Sequence, residues 1–133
     1  MQLTENFALH EFRCNDGTDV PGEYMDNVQL LADNLQIIRE EINKPMILIS
    51  GYRSPEYNKS IGSRPTSQHR LAKAADIVIK DVSPVELWKV ILRLIKEKRI
   101  HSGGVGLYTT FVHYDVRGRN ARWYGKGAKP NGS

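Results

Sequence analysis

Two apolar stripes at helical spacing, each with its own stop or start signal, constrain this chain more than any other feature. In the first, Val28, Leu31, Leu35, Ile38 and Ile42 recur at steps of three and four residues, which predicts an amphipathic helix over residues 26–42. Asn43-Lys44-Pro45 then stops it, because proline disfavours helical geometry in the residue before it. In the second, Ser83-Pro84-Val85-Glu86 forms a capping box with proline at the first helical position. The helix it opens turns Leu87, Val90, Ile91, Leu94 and Ile95 inward and ends near Arg99.

Short apolar runs alternate with these helices. Residues 46–50 (MILIS) read as a buried strand, and Ser54-Pro55 opens a short helix whose end suits Gly62. Residues 74–80 form a second strand, and after Gly103-Gly104 three more follow at 105–108, 111–116 and 121–124. Helices are interspersed with strands and the last three strands are close neighbours. The expected class is therefore α+β, a mostly antiparallel sheet with helices packed on it.

At 133 residues, with 40% hydrophobic and 26% charged residues, the chain fits one soluble core. Residues 1–125 are taken as one domain, expected as a monomer, and 126–133, Gly- and Lys-rich, as a flexible tail. 

The single cysteine, Cys14, cannot close an internal disulfide and reads as a small buried hydrophobe. No apolar run approaches the ~20 residues of a membrane span, so no integral membrane segment is expected. The N-terminus MQLTENFALHEF lacks a basic start followed by an apolar stretch, and no secretory signal is visible in it. Net charge is +4, with basic residues spread along the chain and no nucleic-acid motif beside them, so nucleic acid is not an expected partner.

The chain has four histidines, His10, His69, His101 and His113. His69 and Asp76 are separated by six residues. On one helix they would stand about 10 Å apart along the axis, and on one strand they would face opposite sides. They can share a metal ion only if the chain bends between them, and Arg70-Leu71-Ala72-Lys73-Ala74-Ala75 has the small residues to allow it. In the run Phe111–Val116, period two places Phe111, His113 and Asp115 on one face and Val112, Tyr114 and Val116 on the other. The second set is the more apolar, so His113 and Asp115 are expected to face a cleft. Spacing alone favours surface or satisfied core histidines over a metal site.

Several motifs together narrow this. Ser50-Gly51-Tyr52-Arg53-Ser54, Ser67-Gln68-His69 with Ala75-Asp76, Gly103-Gly104-Val105-Gly106 and Phe111-Val112-His113-Tyr114-Asp115 resemble the zinc D-alanyl-D-alanine carboxypeptidase and murein endopeptidase family. The likeness is greatest to its short murein endopeptidase-like branch, found in bacterial and phage proteins, and runs in order from Phe7 to Trp123. The resemblance implies the fold shared with the signalling domain of Hedgehog proteins. It implies Zn2+ on His69, Asp76 and His113 with water in the fourth position, Arg53 polarising the scissile carbonyl, and Ser67 positioning substrate. Tyr52 is read as lining a groove for glycan or peptide, with Tyr108 and Trp123.

Many members carry a Glu, Asp or His base three residues before the last metal His, where this chain has Thr110. Asp115, the nearest acid on the expected cleft face, takes the role of general base in this reading. The implied activity is hydrolysis of peptidoglycan peptide bonds, as carboxypeptidase or endopeptidase, at a cell wall reached by export or by phage release as with endolysins. The alternative is a zinc-fold module that binds cell wall with little or no turnover.

Overall fold

The computed structural model describes residues 1–130. Three α-helices, α1 (Met25–Ile42), α2 (Pro55–Ser60) and α3 (Pro84–Lys96), are interspersed with five strands. The strands are β1 (Met46–Ser50), β2 (Ala74–Ile79), β3 (Gly104–Leu107), β4 (Val112–Asp115) and β5 (Ala121–Tyr124), in the sheet order β1-β2-β4-β3-β5. The pairings β1/β2, β2/β4 and β3/β4 are antiparallel, and β3/β5 is parallel. The fold is α+β with a mostly antiparallel sheet, as the periodicities predict. No described helix is long and apolar enough to cross a membrane.

Local chemistry sets the helix ends. Asn43 takes the left-handed conformation (φ 57°) and donates its backbone N–H to the Arg39 carbonyl, closing α1 just before Pro45. The Ser83 hydroxyl accepts the Glu86 backbone N–H at 3.1 Å to start α3, which ends at Lys96, three residues before the expected point. Val28, Leu31, Leu35 and Ile38 of α1 and Leu87, Ile91 and Leu94 of α3 are buried in one core with Ala75, Ile77 and Ile79 of β2 and Val112 and Tyr114 of β4. Val105 and Leu107 of β3 complete it. Cys14 is buried, as expected. Within the expected tail Ala128 packs against the core, and 131–133 lie outside the described residues.

The opposite face of the sheet carries Asp76, His113 and Asp115, and its register brings distant residues together. Asp76 pairs with His113, His113 with Gly106, and Gly106 with Trp123. Ser50 extends the row on the far side of Asp76. It does so because the β1/β2 register shifts between Leu48 and Ser50, a bulge that re-aims the strand end. Without it, Ser50 would pair with Ala75 and share that residue's core face.

Candidate metal centre

Three elements deliver the candidate ligands. Asp76 and His113 are directly opposed on neighbouring strands, so their side chains rise from the same face. His69 arrives on a single 3-10 turn (Gln68–Leu71) whose N-cap, Ser67, accepts the His69 backbone N–H at 3.3 Å. Ala72 ends that turn in the left-handed region (φ 58°), and the chain then enters β2. This is the bend between His69 and Asp76 that a shared ion requires.

Hydrogen bonds fix how the ligands point. His69 Nδ1 lies 2.8 Å from the Gly51 carbonyl oxygen, which only accepts, so that nitrogen carries the proton and Nε2 offers a lone pair. His113 Nε2 lies 2.7 Å from Asp115 Oδ2, an acceptor when ionised, so Nδ1 is the free nitrogen. Both free nitrogens sit 3.3 Å from the same oxygen, Asp76 Oδ1. The other Asp76 oxygen accepts from Arg53 at 3.3 Å. Three acceptor atoms thus converge, all within 4.8 Å of one another, with His69, Asp76 and His113 all buried.

Such a cluster is repulsive unless a cation sits in it. The three groups respond differently to this crowding. Burial lowers the pKa of His69 and outweighs the pull of Asp76, which favours the neutral imidazole that a metal needs. Burial acts downward on His113 too, but Asp115 and Asp76 on either side of it prevail and the net shift is upward. Burial would raise Asp76, yet the adjoining His113 and His69 imidazoles hold it well below the usual carboxylate range. Two imidazoles and one carboxylate suit a first-row metal such as zinc better than magnesium or calcium, which favour oxygen shells. The residues present fit the ion.

The cluster opens into a cleft of about 820 Å³, whose lining includes His69, Asp76, His113, Arg53, Ser67, Tyr108, Phe111, Arg117 and Trp123. Arg53 is held by Ser50 Oγ at 3.2 Å and Ser63 Oγ at 3.3 Å as well as by Asp76. Two expected site residues stand elsewhere. Tyr52 is buried at 4% exposure in the core, its ring centroid 6.1 Å from that of Tyr24, and does not line the cleft. Its backbone N–H donates to the Phe12 carbonyl, which carries this segment over the core before Arg53 turns back.

Asp115 shares the sheet face of His113, as period two predicts, but it lies behind the imidazole and is 0% exposed. Its oxygens accept from Gly104 N at 2.8 Å, Arg117 Nε at 2.9 Å and Arg117 Nη2 at 2.8 Å, besides His113. Burial would raise its pKa, but His113 and Arg117 outweigh that and hold it well below the ordinary range. The expectation of a cleft-facing acid at this position is not met. Among the described residues, Asp76 is the only carboxylate lining the cleft. Arg117, Gly104 and the Gly51 carbonyl were not singled out from sequence as parts of this site. Arg117 had a signal, standing two residues from Asp115 on a strand pattern, whereas a backbone carbonyl leaves none.

The α+β fold thus sets a two-histidine, one-aspartate constellation that could hold a metal ion in an open cleft. The chain belongs to the Peptidase M15 family, whose model matches residues 3–115 and so includes all three candidate ligands. A search of curated proteins found no match.

Proposed function

We propose that this protein is a zinc-dependent metallopeptidase that hydrolyses peptide bonds in the stems or crosslinks of bacterial peptidoglycan. The observation that carries the reading is the convergence of His69 Nε2, Asp76 Oδ1 and His113 Nδ1 at the floor of an open cleft. A catalytic zinc site has three protein ligands and one position left for water or substrate. When bound, zinc supplies Lewis acidity, polarising a carbonyl and acidifying water. Family membership supports the peptidase reaction, and the motif resemblance supports cell-wall peptides as its substrate.

The chain's own residues divide the remaining work. Arg53 has five N–H donors and places three of them on Ser50, Ser63 and Asp76, leaving two for a substrate carbonyl. Ser67 shapes the turn that presents His69 and lines the cleft, where it can contact substrate. Asp115 acts through His113: it fixes the ring's tautomer and orientation and raises its basicity as a ligand. An efficient general base has a pKa near the working pH, and a fully buried carboxylate held low by Arg117 does not meet that condition.

The absence of a second carboxylate among the cleft-lining described residues favours one other reading, a zinc-holding module that binds cell wall without turnover. Digestion of purified peptidoglycan separates the two. The expected result is release of new amino groups without new reducing sugar ends, abolished by a chelator and restored by zinc. Reducing ends without amino groups would mean a glycosidase. Sedimentation of zinc-loaded protein with peptidoglycan, with no product released, would establish the binding module.

A further inference from the structure

Three hydroxyl groups of the cleft accept from N–H groups, and that of Tyr108 is the one tied to the Trp123 indole beside His113. Ser63 Oγ accepts from Arg53, and Ser67 Oγ accepts from the His69 backbone. Tyr108 accepts the indole N–H of Trp123 on its phenol oxygen at 3.0 Å, and among the described residues its own proton has no acceptor. A hydroxyl that accepts from a fixed N–H is oriented and polarised to donate.

The two aromatic rings are seated by glycines. Tyr108 stacks on Phe111 with centroids 4.4 Å apart and an interplanar angle of 12°. Its other surroundings include Gly125, where any Cβ would run into the phenol ring. A Cβ at Gly106 would likewise strike the Trp123 indole. The space so left lets that indole lie 4.9 Å, centroid to centroid, from the His113 ring, with the Arg117 guanidinium 5.4 Å above its own centroid. Along the cross-strand row, Arg53 follows Ser50 at the β1 end, and Tyr108 follows β3 at the β3/β5 end. Arg53 and Tyr108 therefore flank the ligands along the row, and both line the same cleft.

We propose that Tyr108 is a catalytic residue whose O–H donates a hydrogen bond to the scissile carbonyl oxygen as it gains negative charge, and that Trp123 is the positioning residue that aims it. Tyr108 keeps its proton throughout, so no further acid or base is needed for this role. The inference deepens the peptidase reading and rests on it. A preformed donor aimed at a developing oxyanion contributes mainly in the transition state, not in substrate binding.

The test uses zinc-loaded full-length protein and two probes, D-alanyl-D-alanine and its phosphinate analogue, which carries a tetrahedral anionic centre in place of the planar amide. Calorimetry should show that Tyr108→Phe weakens phosphinate binding by about 100-fold, while dipeptide affinity and zinc content change by less than about threefold. Trp123→Phe keeps an aromatic ring, removes the N–H, and should give a smaller loss of about tenfold. With peptidoglycan as substrate, Tyr108→Phe should lower kcat and leave KM in place. Equal phosphinate affinity in wild type and Tyr108→Phe, or no phosphinate binding by wild type, overturns the inference. Tyr108-dependent phosphinate binding without peptidoglycan hydrolysis would leave it standing and remove the cell-wall substrate instead.

Discussion

Strand β4 carries two kinds of residue on its two faces, and they are held by different physics. Val112 and Tyr114 face α1 and α3 within an apolar cluster where volume and shape decide the fit. Asp115 is as deeply buried and His113 nearly so, and polar contacts hold them: Asp115 anchors His113, and Gly104 and Arg117 hold Asp115. Apolar packing tolerates substitutions that conserve volume, at less than about 1.5 kcal/mol. A linked set of hydrogen bonds does not, because removing one member leaves its partner buried and unpaired. The helix-backed face should therefore set stability, and the opposite face should set metal affinity.

The largest effect expected is on the helix-backed face. Leu35, fully buried in α1, loses both burial and fit in Leu35→Ala, which should reduce unfolding free energy by about 2–5 kcal/mol. Denaturant titration measures this, and zinc affinity of the folded fraction should stay the same. A parallel loss of metal affinity would mean that the two faces are coupled.

Asp115→Asn comes next and acts on the other face. The amide has one acceptor oxygen where the carboxylate has two, so its NH2 must face either His113 and Arg117 Nη2 or Gly104 and Arg117 Nε, and the imidazole's anchor is weakened. Zinc affinity should fall about 10- to 100-fold, with activity partly restored by added zinc. If instead turnover falls by about 100-fold or more with zinc fully bound, Asp115 is the general base after all. Competition against a metal-chelating dye distinguishes the outcomes.

Tyr114→Phe is the smallest. Its hydroxyl donates to the His101 carbonyl at 2.7 Å, and losing that bond should lower the unfolding free energy by about 1 kcal/mol with no change in metal affinity. A measurable effect on zinc binding would break the division between the faces of β4.

Much of the helix-backed face was legible in sequence because its signals are local. The stripe from Val28 to Ile38, the Ser83 cap and the alternation in β4 need only neighbours along the chain. The parallel β3/β5 pairing was not visible, since strand neighbours are chosen by the fold and not by the strand's own pattern. On the site face, period two placed Asp115 beside His113 on the right side of the sheet. It could not tell whether the carboxylate projects into the cleft or lies behind the ring, because Gly104 and Arg117 decide that. Tyr52 was misplaced for a similar reason: the chain crosses the core at Phe12 before Arg53 reaches the cleft. The bulge before Ser50 had no sequence signature at all.

The central claim is that His69, Asp76 and His113 hold one metal ion together. Metal analysis by mass spectrometry of protein equilibrated with zinc and then desalted tests it most directly, alongside His69→Ala and His113→Ala variants shown to be folded by circular dichroism. Wild type should retain about one zinc per chain, and each variant, left with only two ligands, should retain almost none. Equal zinc content in wild type and both variants, whether negligible or stoichiometric, would contradict the account.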